Sequence, residues 1–438
     1  MRHAIAALLA AGVALAPAFG RADAVVPAPT MESSGGATIV RQSDPSAALV
    51  GVEVVIRAGL DRQTMRQNGL AALAAQAITQ TPVGTPPLPL QDAIAARGGS
   101  VHFTVDPSCV RFYVEALASD APDVVALFKT ALASPDFSPP TVRDARASLG
   151  RQIAENQQVA LRVGLDMLSR ASSTEANAGL PALGTTASLA QFVPADVAAF
   201  YHSFYRSGGM VVSAVGKLDA LPADALSTLV AAIPAGTTLP VTVHVAALHG
   251  TSRELVTHRD VPSPWLIAQY PAPGIDSKDF GAMLVLTAFV QRTLADIVEL
   301  PGVVSPTFAS RSVGAVYSYD RSPARLVMYV NGGIGNPNRS FATALSIVNV
   351  LAATRLEGSI DEFKAVAAGD FATGATNLES RAWLAAVFAQ GDASPDFLDR
   401  SLRAIAATTP EDVMRVAHAY MGSPTIALVL PRQGSLSN

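Results

Sequence analysis

The chain has 438 residues, half of them hydrophobic, which is enough for large cores and too long for one ordinary domain. A formal net charge of -4 and a pI near 6.0, with no dense run of Lys and Arg, argue against nucleic acid and against an anionic membrane surface as partners. Cys109 is the single cysteine, so no intrachain disulfide can form, and its apolar strand context suits a small buried residue better than a nucleophile.

The N-terminus joins Met1-Arg2-His3 to an apolar run from Ala4 to Phe19 and then to Ala22-Asp23-Ala24. That order of charge, apolar segment and small-residue site predicts a signal peptide over 1–24, with export across the inner membrane and a periplasmic destination if the source is Gram-negative. The alternative, a membrane anchor, needs a longer apolar stretch than this one. Residues 25–38, rich in Pro, Ser and Gly, read as an extended segment without periodicity.

Beyond it the pattern alternates between strands and helices. Gly51–Arg57, Val110–Leu117 and Met210–Gly216 read as strands, with helices over Asp123–Ala133 and Thr141–Ser169. Later, Trp265–Tyr270, Arg325–Val330 and Thr425–Leu430 read as strands, and Asp279–Val298, Arg339–Thr354 and Ile360–Ala368 as helices. Two short strings recur at one offset: Phe112-Tyr113-Val114 with Met328-Tyr329-Val330, and Pro194-Ala-Asp196-Val197 with Pro410-Glu-Asp412-Val413, each 216 residues apart. Equal offsets at distant points argue for duplicated halves. Strands grouped with long helices in two copies indicate an α+β class, with a linker over 221–256 marked by Pro222, Pro234, Gly236 and Pro240.

The segment Ala58–Thr81 resembles the strand, loop and helix that bind zinc in the M16 (insulinase/pitrilysin) metallopeptidases. In that family the helix carries His-x-x-Glu-His; here the frame reads Ala72-Leu73-Ala74-Ala75-Gln76. The two zinc-binding imidazoles thus correspond to Ala72 and Gln76, and the carboxylate that activates the metal-bound water to Ala75. The family's third ligand, a downstream Glu, falls on Gln152 by the usual spacing, while a shift of register puts it on Glu155, nearly one helical turn away. Neither choice restores a peptidase site, because alanine neither ligates nor accepts a proton.

A second signature, Gly184-Thr-Thr-Ala-Ser-Leu-Ala-Gln-Phe-Val-Pro-Ala-Asp196-Val leading to Phe200-Tyr201 and Tyr205, is similar to another ordered series of the family. In the second half, Ser310-Arg311-Ser-Val-Gly314-Ala-Val-Tyr317-Ser318 resembles the segment whose Arg and Tyr hold substrate in active members. The resemblance gives Tyr317 and Arg311 a substrate-binding role; their bland alternatives are a strand tyrosine packed on a sheet and a solvated loop arginine. His102 sits where the family has an edge strand that pairs with extended peptide, and such pairing does not depend on side-chain identity. His244, His249 and His258, with Glu254, have no zinc spacing and read as surface residues.

The resemblance covers residues 39–431 and implies two tandem α/β sandwich domains, over 39–220 and 257–432, forming a clamshell, with a tail over 433–438. It implies no zinc in this chain. It points to a noncatalytic subunit paired with a zinc-bearing M16 peptidase that keeps its His-x-x-Glu-His, the two together enclosing a peptide, with no stable membrane insertion. A stand-alone peptide- or protein-binding module of the cell envelope is the second reading, and an active zinc peptidase with unusual ligands is the least favoured.

Overall fold

The computed structural model describes residues 28–172, 177, 179–236, 253–299, 313–319, 324–331, 360–374, 377–390 and 396–432. The segment expected to be a signal peptide, the helix expected over 339–354, the tail, Arg311, His244 and His249 lie outside them.

The first half begins with β1 (Thr30–Ser34), β2 (Ala37–Ser43) and β3 (Leu49–Ile56), then α1 (Leu70–Thr79). A minor hairpin follows, β4 (Pro82–Val83) and β5 (Leu88–Pro89), with α2 (Leu90–Ala95). Next come β6 (Ser100–Val105), β7 (Val110–Leu117), α3 (Ala121–Ala133), α4 (Pro139–Gln158) and α5 (Ala160–Ser172). The half closes with α6 (Thr186–Leu189), α7 (Pro194–Phe204), β8 (Val211–Gly216) and α8 (Ala225–Ala231).

The second half runs β9 (Arg253–Arg259), β10 (Trp265–Pro271), α9 (Phe280–Glu299), β11 (Val313–Ser318), β12 (Arg325–Asn331), α10 (Ile360–Gly374), α11 (Leu378–Gln390), α12 (Phe397–Ala407), α13 (Pro410–Tyr420) and β13 (Thr425–Pro431). Among the described residues no helix is long and apolar enough to cross a membrane.

The two main sheets repeat one plan. The first has the order β1-β2-β8-β3-β7-β6 and the second β11-β12-β10-β13-β9. Each contains one parallel pair, β2 with β8 and β9 with β13, and is otherwise antiparallel. The duplication indicated by the 216-residue offset is therefore present in five strands of each sheet, and β1 has no counterpart among the described residues.

β3 is buried on both faces, and the period of two in a strand sorts its residues. Val50, Val52, Val54 and Ile56 join the core beneath α1, α3 and α7, while Val55 joins the core built largely by the second half. That second face is covered by α11, which packs on β8, β3 and β2 and whose residues from Arg381 to Ala389 are all buried. The exchange is mutual. α5 leaves the first half to cover the second sheet, where Ala160, Val163 and Leu168 meet Ile267, Val327, Ala427 and Val429. Gly164 permits this contact, because a Cβ there would stand 2.1 Å from Ile267 Cδ1.

Two boundaries differ from the sequence reading. The single helix expected over Thr141–Ser169 is two helices, broken at an extended Val159, because α4 packs in its own half while α5 turns to the other sheet. The linker is also shorter than 221–256: Leu226, Leu229 and Val230 of α8 belong to the first core, and β9 enters the second sheet at Arg253. In the extended segment 25–38, Thr30–Ser34 is a strand paired with β2.

Candidate functional site: the metal-motif helix

α1 starts where two glycines meet. Gly69 and Gly184 both have positive φ, 95° and 76°, and a Cβ on Gly184 would lie 2.6 Å from Gly69 Cα. Only glycine suits such a left-handed backbone at this approach, which accounts for both glycines of the family-like signatures. Asn68 Nδ2 donates to Pro181 O at 3.0 Å, fastening the same two loops. Gln63 Oε1 accepts the Ala71 amide at 3.0 Å and so satisfies one of the free N–H groups at the helix start.

All ten residues of α1 are buried. Its alanines let α4, α7 and β6 close around it. Ala72 and Ala75 are 0% exposed and Gln76 3%. Gln76 is hydrogen-bonded at both ends of its amide: its Nε2 donates to Thr79 Oγ1 at 3.0 Å, and its Oε1 accepts Gln152 Nε2 at 3.2 Å. Thr79 Oγ1 in turn donates to Gln76 O at 2.8 Å.

The two positions linked by the family's spacing lie side by side. Gln152 of α4 faces Gln76, and Glu155, one turn on, is exposed. Two alanines and two amides offer neither the anionic nor the imidazole donors that zinc requires, so these residues do not fit the metal. No group of three His, Cys, Asp or Glu gathers as a metal site among the described residues.

In the second half, Tyr317 has the packed surroundings of its bland alternative, and Arg311 lies outside the described residues. Tyr317 is 6% exposed and lies in the second core against Phe280 and Tyr319. Its hydroxyl donates to the Pro273 carbonyl, and burial pushes its pKa up, so it is a neutral side chain packed in the core. Gly314 of the same motif also has a packing reason, since a Cβ there would strike the Tyr329 ring at 2.4 Å.

β6 is an edge strand, paired with β7 alone among the described residues. His102 on it bonds Glu379 at the start of α11 at 2.8 Å, a link between the halves. Cys109 is buried and its thiol is pushed up by desolvation, which leaves it inert. His258 and Glu254 are exposed on β9.

Sequence reasoning missed a charged cluster on the opposite face of the first sheet, where Glu53, Arg111 and Asp106 lie under Trp383 of α11. The signal was available: a lone carboxylate in the apolar run Gly51-Val-Glu53-Val-Val-Ile56.

The insulinase (Peptidase family M16) model matches residues 38–186, and the model of the Peptidase M16 inactive domain matches residues 191–309. No curated protein matches the chain significantly. Among solved structures, a protease from Helicobacter pylori is similar with a TM-score of 0.80 at 13% identity, over 93% of this chain and 100% of that one. A peptidase M16 inactive domain from Pseudomonas fluorescens gives 0.77 at 14% identity, over 92% and 98%. A chain of complex III2 from Candida albicans gives 0.74 at 15%, over 93% and 97%. The structures share the fold, and the two family matches together span more than half of the sequence: the chain belongs to the M16 insulinase family of peptidases.

Proposed function

We propose that this chain is a noncatalytic M16-like subunit of the cell envelope, exported by its N-terminal segment, that pairs with a second M16 chain carrying His-x-x-Glu-His and its zinc. The observation that carries the reading is the Gln76–Gln152 amide pair. It joins the helix that resembles the family's metal helix to its partner helix, with Gln76 buried, Gln152 half-buried and Ala75 in place of the general base. The scaffold of the reaction is present without its chemistry.

What the chain would give to a shared chamber is backbone. The β6 edge can add an extended peptide as a further strand, since main-chain hydrogen bonds supply affinity whatever the side chains are. The likeness to a chain of complex III2 supports work within a multichain assembly.

The test is affinity purification of the tagged full-length precursor from its native host, with mass spectrometry of stoichiometric partners. Co-elution of an M16 chain with an intact His-x-x-Glu-His is the expected result. A chain that purifies alone, and binds extended peptides tightly on its own, would replace this reading with that of a stand-alone binding module, which the β6 edge also allows.

A further inference from the structure

The first sheet carries a carboxyl group in its most buried strand. Glu53 is 1% exposed and lies on the face of β3 that α11 covers. Arg111 Nη1 forms an ion pair with Glu53 Oε1 at 3.6 Å, longer than a good hydrogen bond, and no closer hydrogen-bond partner reaches either carboxyl oxygen among the described residues. Arg111 is engaged elsewhere: its Nε donates to Asp106 Oδ2 at 3.1 Å, and its guanidinium lies 4.1 Å over the Trp383 ring on α11.

The other charged or titratable groups facing this seam are few. Arg381 of α11 pairs with Asp44 at 3.6 Å. Glu379, at the start of the same helix, bonds His102 of β6. Tyr113, hydrogen-bonded to Glu115, and Cys109 are both pushed up by burial and stay neutral. Desolvation pushes Glu53 up to about 8; Arg111 opposes the rise, and Glu379 and Asp106 add to it.

The second sheet provides an internal control. In it Gln269 and Arg325 stand in the same diagonal relation: Arg325 lies two residues before Val327, the cross-strand partner of Gln269, as Arg111 lies two residues before Tyr113, the partner of Glu53. There Arg325 Nη1 donates to Gln269 Oε1 at 3.3 Å and to Ser169 Oγ of the covering α5 at 3.1 Å. A neutral amide occupies the α5 seam where a carboxyl group, its pKa pushed up by burial, occupies the α11 seam.

We propose that the α11 seam is a proton-operated clasp between the two halves, closed while Glu53 keeps its proton and opened at alkaline pH by α11 lifting from the first sheet. A buried carboxylate without hydrogen bonds must regain water or stable partners. The neighbours of Glu53 on β7 and β8 are fixed by sheet hydrogen bonds, so the cover yields first. Glu379 rides on that cover, and its repulsion of an ionised Glu53 acts in the same direction. The α5 seam, with Gln269, has no such proton to lose.

Linkage gives the sign. The folded chain holds a proton at Glu53 up to about 8 that the unfolded chain releases near 4.5. The stability contributed by this group is therefore full below 4.5 and is lost as pH rises through 8.

The chain's two tryptophans report on the two seams: Trp383 in the clasp, and Trp265 beside Tyr329 in its counterpart. The experiment is emission and acrylamide quenching of the full chain carrying W265F, from about pH 6 to pH 10, bracketing the ionisation of a buried carboxyl. Trp383 should red-shift and become more quenchable with a midpoint near pH 8, and E53Q should abolish the change. The W383F chain, reporting through Trp265, should stay flat, and Q269E added to it should create an alkaline transition. No transition of Trp383 over this range, or one that survives in E53Q, overturns the proposal. Should E53Q fail to fold, Q269E decides: a new transition upholds the clasp and its absence overturns it.

Discussion

Gln76 shows how a reactive position becomes a structural one. Its amide has a donor and an acceptor partner inside the protein, and each is spent. Replacing it by Leu removes the buried bond to Thr79 and the half-buried one to Gln152, so Q76L should cost about 0.5–1.5 kcal/mol, the usual net worth of a hydrogen bond. Urea midpoints at constant m-value would check it. Tyr317 is the second such residue. Y317F removes one buried hydrogen bond to Pro273 and should cost about 0.5–1.5 kcal/mol; in a reconstituted pair with a zinc-bearing chain it should leave peptide turnover unchanged, whereas a residue gripping substrate would lower it. The spacing implied by the family resemblance located Gln152 opposite Gln76, because the chain length between two packed helices is fixed by the fold. Spacing could not say which way Tyr317 points, since a strand offers two faces and the motif string is the same on either.

At the scale of elements, periodicity carried most of the information. Strands such as Val110–Leu117 and Thr425–Leu430 alternate or run apolar and appear where expected. Periodicity does not reveal a change of partner, however. The apolar rhythm continues through Val159, so α4 and α5 read as one helix although they cover different sheets. For the same reason α8 passed for linker: its turn-rich flanks, Pro222 and Pro234, conceal an apolar face of Leu226, Leu229 and Val230. The seam between α5 and β10 offers an element-level test. G164L should destabilise by about 1–3 kcal/mol, the usual range for overpacking, since the space is held by Ile267. Differential scanning calorimetry should show that loss in the second half's transition, or in a single shared one if the halves melt together.

At the scale of the whole molecule, the repeat offset of 216 foretold two like halves, and the sheets agree in strand order and in the placement of their parallel pair. What the offset could not disclose is that the halves trade their covering helices, because an amphipathic helix fits any apolar sheet face of suitable shape. The trade sets an order of events during synthesis. The first sheet has all its strands once Gly216 has been made, yet the helix that roofs its second face begins only at Leu378. For the intervening stretch of translation the nascent protein holds a finished sheet with Val40, Val55 and Val211 bare to water, a stage at which a chaperone has something to hold and a prematurely terminated chain has something to aggregate through.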